Sequence, residues 1–170
     1  MPDGPKLRCA PLPKPFRIVL VEPEIPPNTG SVARTCAATQ TPLHLIEPLG
    51  FRIDDRSLKR AGIDYWHLVQ VSVHGTFDAF VAAQPDARVH VFTGHATRSY
   101  VEADLQPGDA LVFGKESVGL PPELVERYAE RAWAIPMSGG VRSLNLSNAV
   151  AIVLFEALRR NHGLAPTFTE

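Results

Sequence analysis

The chain has 170 residues, 45% hydrophobic and 21% charged, which suits a single domain with a real core and excludes a disordered or fibrous protein. No apolar run nears the roughly 18–20 residues of a membrane-spanning helix, and residues 1–15 lack the apolar stretch of a secretion signal. Seventeen basic residues against 18 acidic ones, a net charge of −1, exclude a polycationic nucleic-acid coat but leave room for a local basic patch.

Arginine far outnumbers lysine among the basic residues, as phosphate recognition would favour and as Arg-rich codon usage would equally produce. Cys9 and Cys36 are the only cysteines and form no CxxC, so neither a disulfide framework nor a zinc ribbon is expected. The six histidines show no HExxH or HxH pairing, and no metal site is expected. A reducing, cytoplasmic setting fits this usage.

In chain order, residues 1–15 carry Pro2, Pro5, Pro11, Pro13 and Pro15 and read as an extended or disordered leader, with the domain spanning 16–164 and a tail at 165–170. Phe16 to Val21 is a short β-branched run and predicts a buried strand. Pro23, Pro26 and Pro27 then delay regular structure until Asn28, an N-cap for a helix from Thr29 to Gln40. A strand follows at Leu43–Glu47, and Asp54 with Asp55 opens a short basic helix. Next come a strand at His67–Val73, a helix at Thr76–Ala83 and strands at Arg88–Thr93 and Ala110–Phe113. Pro121 and Pro122 open a helix to about Ala129, Ala132–Ile135 is a last strand, and Asn145–Arg160 is a long helix. Strands alternating with helices predict an α/β fold, a mostly parallel sheet with helices on both faces. In the last helix, residues 149–155 are all apolar, so a second copy of the chain is expected to cover it as a two-fold homodimer.

Common nucleotide fingerprints fail. No GxGxxG follows a strand, and Gly108 to Lys115 spaces its glycines wrongly for a P-loop and has Glu116 where Ser or Thr is needed. Three denser segments remain. Asn28-Thr29-Gly30, with Arg34 a turn later, makes a helix start that is either an anion site or an ordinary cap with a solvated arginine. Phe113-Gly114-Lys115-Glu116-Ser117-Val118-Gly119-Leu120 lies after a strand, either where open α/β sheets bind ligands or as a plain connecting loop. Ile135 to Ala149 runs through a Gly-rich loop to Ser143, Asn145, Ser147 and Asn148, more polar groups than capping needs.

Together, in this order, these segments resemble the SpoU branch of the SPOUT RNA methyltransferases, whose motifs are N-x-G…R, FG-x-E-x-x-GL and IPM…S-x-N-L-S-N-A. The likeness runs from about Phe16 to Leu164. Val21 to Gly30 (VEPEIPPNTG) and Leu58 to Tyr65 (LKRAGIDY) are most similar to the minimal, single-domain tRNA wobble-position 2′-O-methyltransferases. Two departures stand out: Lys115 replaces the proline of that group, and the loop 138–141 differs.

The resemblance implies a C-terminal deep trefoil knot, which general topology rules would otherwise disfavour. It also implies S-adenosylmethionine as cofactor, with S-adenosylhomocysteine as product, held at Phe92, Gly114, Ile135, Ser143 and Leu144. It further implies catalysis by Arg34 reaching across a dimer, with Ser143 and Asn145 assisting. A guanidinium is a poor base, so Arg34 is expected to hold a phosphate and stabilise a developing alkoxide. Glu116, counted with the catalytic residues, is expected to order its loop or to pair with Arg34, ahead of direct proton abstraction. Arg56, Lys59 and Arg60, on one helix face, and Arg142 are expected to contact RNA phosphates, or else to form a solvated face. The implied substrate is the ribose of the wobble pyrimidine in leucine tRNAs. Alternatives are another tRNA position, ribosomal RNA, or a non-catalytic RNA-binding protein of the same fold.

Overall fold

The aliphatic runs form the inner strands, buried on both faces, while Val71–His74 at one edge is only partly buried. In the computed structural model, which describes residues 6–54 and 65–169, these strands are β2 (Arg17–Val21), β3 (Leu43–Ile46), β4 (Val71–His74), β5 (Val89–Phe92), β6 (Ala110–Phe113) and β7 (Ala132–Trp133). They make one sheet in the order β4-β3-β2-β6-β5-β7, every pair parallel. Alternate residues feed two cores. Ile18, Leu20, Leu43, Leu45, Leu111 and Phe113 share one with α1 (Pro26–Thr39) and α4 (Leu146–Arg160). Val19, Val21, Val89, Val91 and Val112 share the other with Phe80 of α2 (Phe77–Ala83) and Leu124 of α3 (Pro122–Arg127). The expected α/β sheet with helices on both faces is what the chain forms.

Several boundaries differ, each for a physical reason. The first helix starts at Pro26, not after Asn28, with Ile25 as its N-cap. Proline tolerates the first helical turn because the N–H it lacks would have no partner there anyway. The strand expected at His67–Val73 begins only at Val71, where β3 first offers a partner (Leu43↔Val71), and Trp66–Leu68 form a 3₁₀ turn instead. The last strand stops at Trp133 because Ala134 turns to a different partner, its N–H donating to Arg98 O at 2.8 Å and its carbonyl accepting from Tyr100 N at 2.9 Å. Residues 6–9 (β1) and 166–169 (β8), read from sequence as parts of a leader and a tail, pair with each other as an antiparallel ribbon. The short basic helix opening at Asp54–Asp55 falls on residues 55–64, outside the described residues.

A buried polar network joins the β5–β6 side of the sheet to β7. The Trp133 indole N–H donates to His90 Nδ1 at 3.1 Å, which leaves the ring proton on Nε2. That nitrogen lies 3.2 Å from Asp109 Oδ2, close enough for attraction but too oblique to count as a good hydrogen bond. Burial acts to raise the Asp109 carboxyl, but contacts from His90, Arg88 and the Gln106 N–H outweigh it and hold the group at about 2.

Long α4 is not covered on all sides within one copy. Val150 and Leu154 are fully buried in the protomer core, so they cannot belong to a dimer face, contrary to the all-round reading of the helix. Its outward residues are Ile152, 38% exposed, and Phe155, 45% exposed.

Candidate active site

The segment between β2 and α1 meets the loop after β6, and the two are tied by side chains of both. Glu116 is the centre. Its carboxylate accepts from the backbone N–H of Glu24 at 2.9 Å and of Ile25 at 3.1 Å, and from the Asn28 side-chain amide at 3.1 Å. A carboxylate here faces the positive end of the α1 dipole. The sequence left this helix start as either an anion site or an ordinary cap. In the fold, two prolines remove donors at its first turn and an internal carboxylate takes the N–H groups just ahead of it. Glu116 therefore orders the junction, the first of its expected roles, and its contacts go to α1's start and not to Arg34.

The reciprocal contact comes from Glu24, which accepts from the Ser117 N–H and hydroxyl, both at 2.9 Å. The Ser117 hydroxyl bond, then its N–H, holds the Glu24 carboxyl below its ordinary range. Lys115 Nζ pairs with Glu22 at 2.8 Å, and that contact raises the lysine. Lys115 thus has a structural use where the resembling enzymes carry proline. Two glycines let the loop fold this tightly. A Cβ on Gly114 would meet the Gly119 carbonyl carbon and Leu120 nitrogen at 2.2 Å, and Gly119 has φ +76°, a left-handed value that disfavours other residues.

Asn28 carries the network to the third motif. While its Nδ2 donates to Glu116, its Oδ1 accepts from Asn145 Nδ2 at 3.0 Å. Asn145 is also the N-cap of α4, its Oδ1 accepting from the Ser147 N–H at 2.9 Å and hydroxyl at 2.6 Å. Glu116, Asn28 and Asn145 therefore form one hydrogen-bonded chain across all three motifs, a connection that polarises each member.

The remaining expected residues fall in two places. Phe92, Gly114 and Ile135 stand at or just past the C-terminal ends of β5, β6 and β7, neighbours in the sheet and the edge where open parallel sheets bind ligands. Phe92 and Phe113 stack there with ring centres 5.0 Å apart. From Ile135 the chain runs through an exposed loop that bears Arg142 and Ser143, both exposed, and half-buried Leu144. Arg34 is exposed on α1 and apart from the Glu116 chain in its contacts: its Nη2 donates to the Tyr65 hydroxyl at 3.3 Å. Arg56, Lys59 and Arg60 lie outside the described residues.

Sequence reasoning missed Glu22, Glu24 and Tyr65 as site residues, and placed Asn28 in a motif without giving its side chain a partner. The signal for Glu24 and Asn28 was present, since both fall inside the VEPEIPPNTG segment. Among the described residues no group of His, Cys, Asp and Glu is arranged to hold a metal ion.

The three motifs that resemble those of the SpoU methyltransferases meet beside one edge of strand ends, and comparison with known proteins shows the family. Residues 15–155 match the SpoU rRNA Methylase family, and the chain belongs to it. It is 55% identical over 148 residues to the tRNA (cytidine(34)-2'-O)-methyltransferase of Burkholderia pseudomallei (strain 1106a), covering 85% of this chain and 95% of the relative. The enzyme of the same name from Acidovorax sp. (strain JS42) is 50% identical over 155 residues, with 89% and 95% covered. A solved structure concerned with 2-OH methylation of C/U34 on tRNA superposes with a TM-score of 0.83 at 49% identity, covering 89% of this chain and 99% of that one. An AdoMet-bound rRNA methyltransferase from Sinorhizobium meliloti matches with a TM-score of 0.74 at 26% identity, covering 88% and 58%.

Proposed function

We propose that this chain methylates the 2′-hydroxyl of the wobble pyrimidine, cytidine or modified uridine, in the anticodon loop of leucine tRNAs, using S-adenosylmethionine. The observation that carries the reading is the Glu116–Asn28–Asn145 chain, which locks the three motifs together beside the strand ends. The names of relatives about half identical over nearly their whole length support the substrate. Passage of the chain from the β7 edge back to α1, against which α4 packs, supports a knotted C-terminal segment. A cytoplasmic location agrees with a tRNA substrate, and no described helix is long and apolar enough to cross a membrane.

The residues present fit the cofactor. Three adjacent strand ends offer backbone groups at Phe92, Gly114 and Ile135, and the loop beyond them supplies the Ser143 hydroxyl and the apolar Leu144. These would hold a nucleoside and its amino-acid tail largely through main-chain contacts. S-adenosylmethionine supplies a methyl group already activated on a sulfonium. The protein has to align the ribose oxygen with it and stabilise that oxygen as its proton passes to solvent water. Arg34 does the second, holding the adjacent phosphate and the developing alkoxide, while Ser143 and Asn145 orient the ribose. Arg56, Lys59, Arg60 and Arg142 contribute phosphate contacts, so RNA affinity falls steeply with salt.

The protein acts as a homodimer in which Arg34 serves the partner's site. Exposed Ile152 and Phe155 on α4, and Ile25 (45% exposed) at the start of α1, give that interface its apolar surface. Arg34→Ala should leave S-adenosylmethionine affinity intact by calorimetry and lower methyl transfer to an anticodon stem-loop by roughly 10²–10³-fold. Arg34→Lys should recover little, since an ammonium lacks the planar fork. Methyl incorporation mapped by mass spectrometry to ribosomal RNA or another tRNA position would refute the substrate, and lost cofactor affinity in Arg34→Ala would refute the role.

A further inference from the structure

Arg34 is exposed on the outer face of α1, where a long side chain ordinarily samples many rotamers. Here it is held. Its guanidinium carbon lies 4.7 Å from the centre of the Tyr65 ring while its Nη2 donates to the Tyr65 hydroxyl at 3.3 Å. The backbone that carries the ring is itself anchored. Tyr65 heads the 3₁₀ turn Trp66–Leu68, its carbonyl accepts from Leu68 N at 3.0 Å, Trp66 packs on the core, and the turn packs against α1. Among the described residues, no carboxylate forms an ion pair with Arg34.

The choice of partner has a consequence. A carboxylate would fix the guanidinium but cancel the charge that a phosphate or an alkoxide needs. An aromatic face with a hydroxyl orients the cation and leaves its charge available. We propose that Tyr65 is a positioning residue for Arg34, presetting the guanidinium for the reacting ribose and its phosphate. The inference rests on the proposed role of Arg34.

The test is a mutant cycle on the full-length protein, with S-adenosylmethionine and an anticodon stem-loop RNA bearing a wobble cytidine. Tyr65→Leu should lower kcat about tenfold, the scale expected when a catalytic group is misplaced slightly, with cofactor Kd and RNA KM within about twofold. Tyr65→Phe, which keeps the ring under the guanidinium, should restore kcat to within about threefold of the parent. In an Arg34→Ala background, Tyr65→Leu should cause no further loss.

An unchanged kcat in Tyr65→Leu, an equal loss in the Arg34→Ala background, or a raised RNA KM at constant kcat would each overturn the inference. The last would make Tyr65 an RNA contact. If Tyr65→Leu fails to fold, the same comparison made with Tyr65→Phe and Tyr65→Gln decides, Gln being required to fall below Phe. Should Arg34→Ala by itself retain full methyl transfer, the reading of Arg34 fails instead, and the two failures are thereby distinguished.

Discussion

Replacing Glu116 separates a carboxylate that holds the site from one that moves a proton. Its two oxygens accept three hydrogen bonds, two from backbone N–H groups at the start of α1 and one from Asn28. Hydrogen bonds to a charged group are worth about 1.5–3 kcal/mol each in favourable cases. The junction is only part-buried, so water recovers much of that for the two freed N–H groups. Glu116→Ala should therefore cost about 3 kcal/mol, or roughly 6–12 °C in Tm for a chain of this size. Glu116→Gln keeps one carbonyl oxygen for Ile25 and Asn28 but turns an NH₂ toward the Glu24 N–H, and should cost about 1–1.5 kcal/mol. Differential scanning fluorimetry and single-turnover methyl transfer would be measured on the same preparations. Because Glu116 is engaged at α1, Glu116→Gln should retain most turnover with an unchanged pH profile, in step with its small loss of Tm. Abolished turnover at unchanged Tm would refute this reasoning and assign Glu116 to proton transfer.

Two further outcomes follow from a buried histidine and from the outward face of α4. His44 sits beside His74 with Nδ1 and Nε2 3.0 Å apart, and burial first, then His74 and Arg17, lower it from an ordinary 6.5 to about 4. Stability should be whole above about pH 6.5 and decline toward pH 4, by on the order of 2 kcal/mol, as the unfolded chain takes up a proton the folded ring refuses. Urea unfolding between pH 7 and 5 should show this decline, and an equal decline in His44→Leu would refute the assignment. On α4, Ile152→Asp or Phe155→Asp should give a folded monomer of 18.6 kDa by light scattering, whereas Leu154→Ala should cost about 2–5 kcal/mol without a specific effect on assembly. A Phe155→Asp protein that remains dimeric would place the interface elsewhere.

The amino-acid sequence alone determined the elements. FRIVLV, LHLI, RVHVF and ALVF are short apolar runs bounded by turn residues, as inner strands are, and their alternation with helices points to a parallel sheet. It also determined the three motifs, because their order and spacing survive without coordinates, and hence the family. Where strands and helices end was less legible, since Val71 starts β4 and Trp133 ends β7 only because of what β3 and residues 98–100 offer them.

What the site's carboxylates and arginine do was decided by tertiary structure. Glu116 meets Ile25 and Asn28, Glu24 meets Ser117, and Asn145 meets Asn28, all pairs far apart in the chain and adjacent only because β2 and β6 are neighbours in the sheet and α4 packs on α1. The same holds for Arg34 on Tyr65, and for α4, whose apolar run looks uniform in sequence while the fold buries Val150 and Leu154 and leaves Ile152 and Phe155 outside. A local pattern reports what a residue prefers, hydrophobic or polar, helix or strand. Which partner satisfies a charged or amide group depends on the three-dimensional path that brings two distant segments within 3 Å.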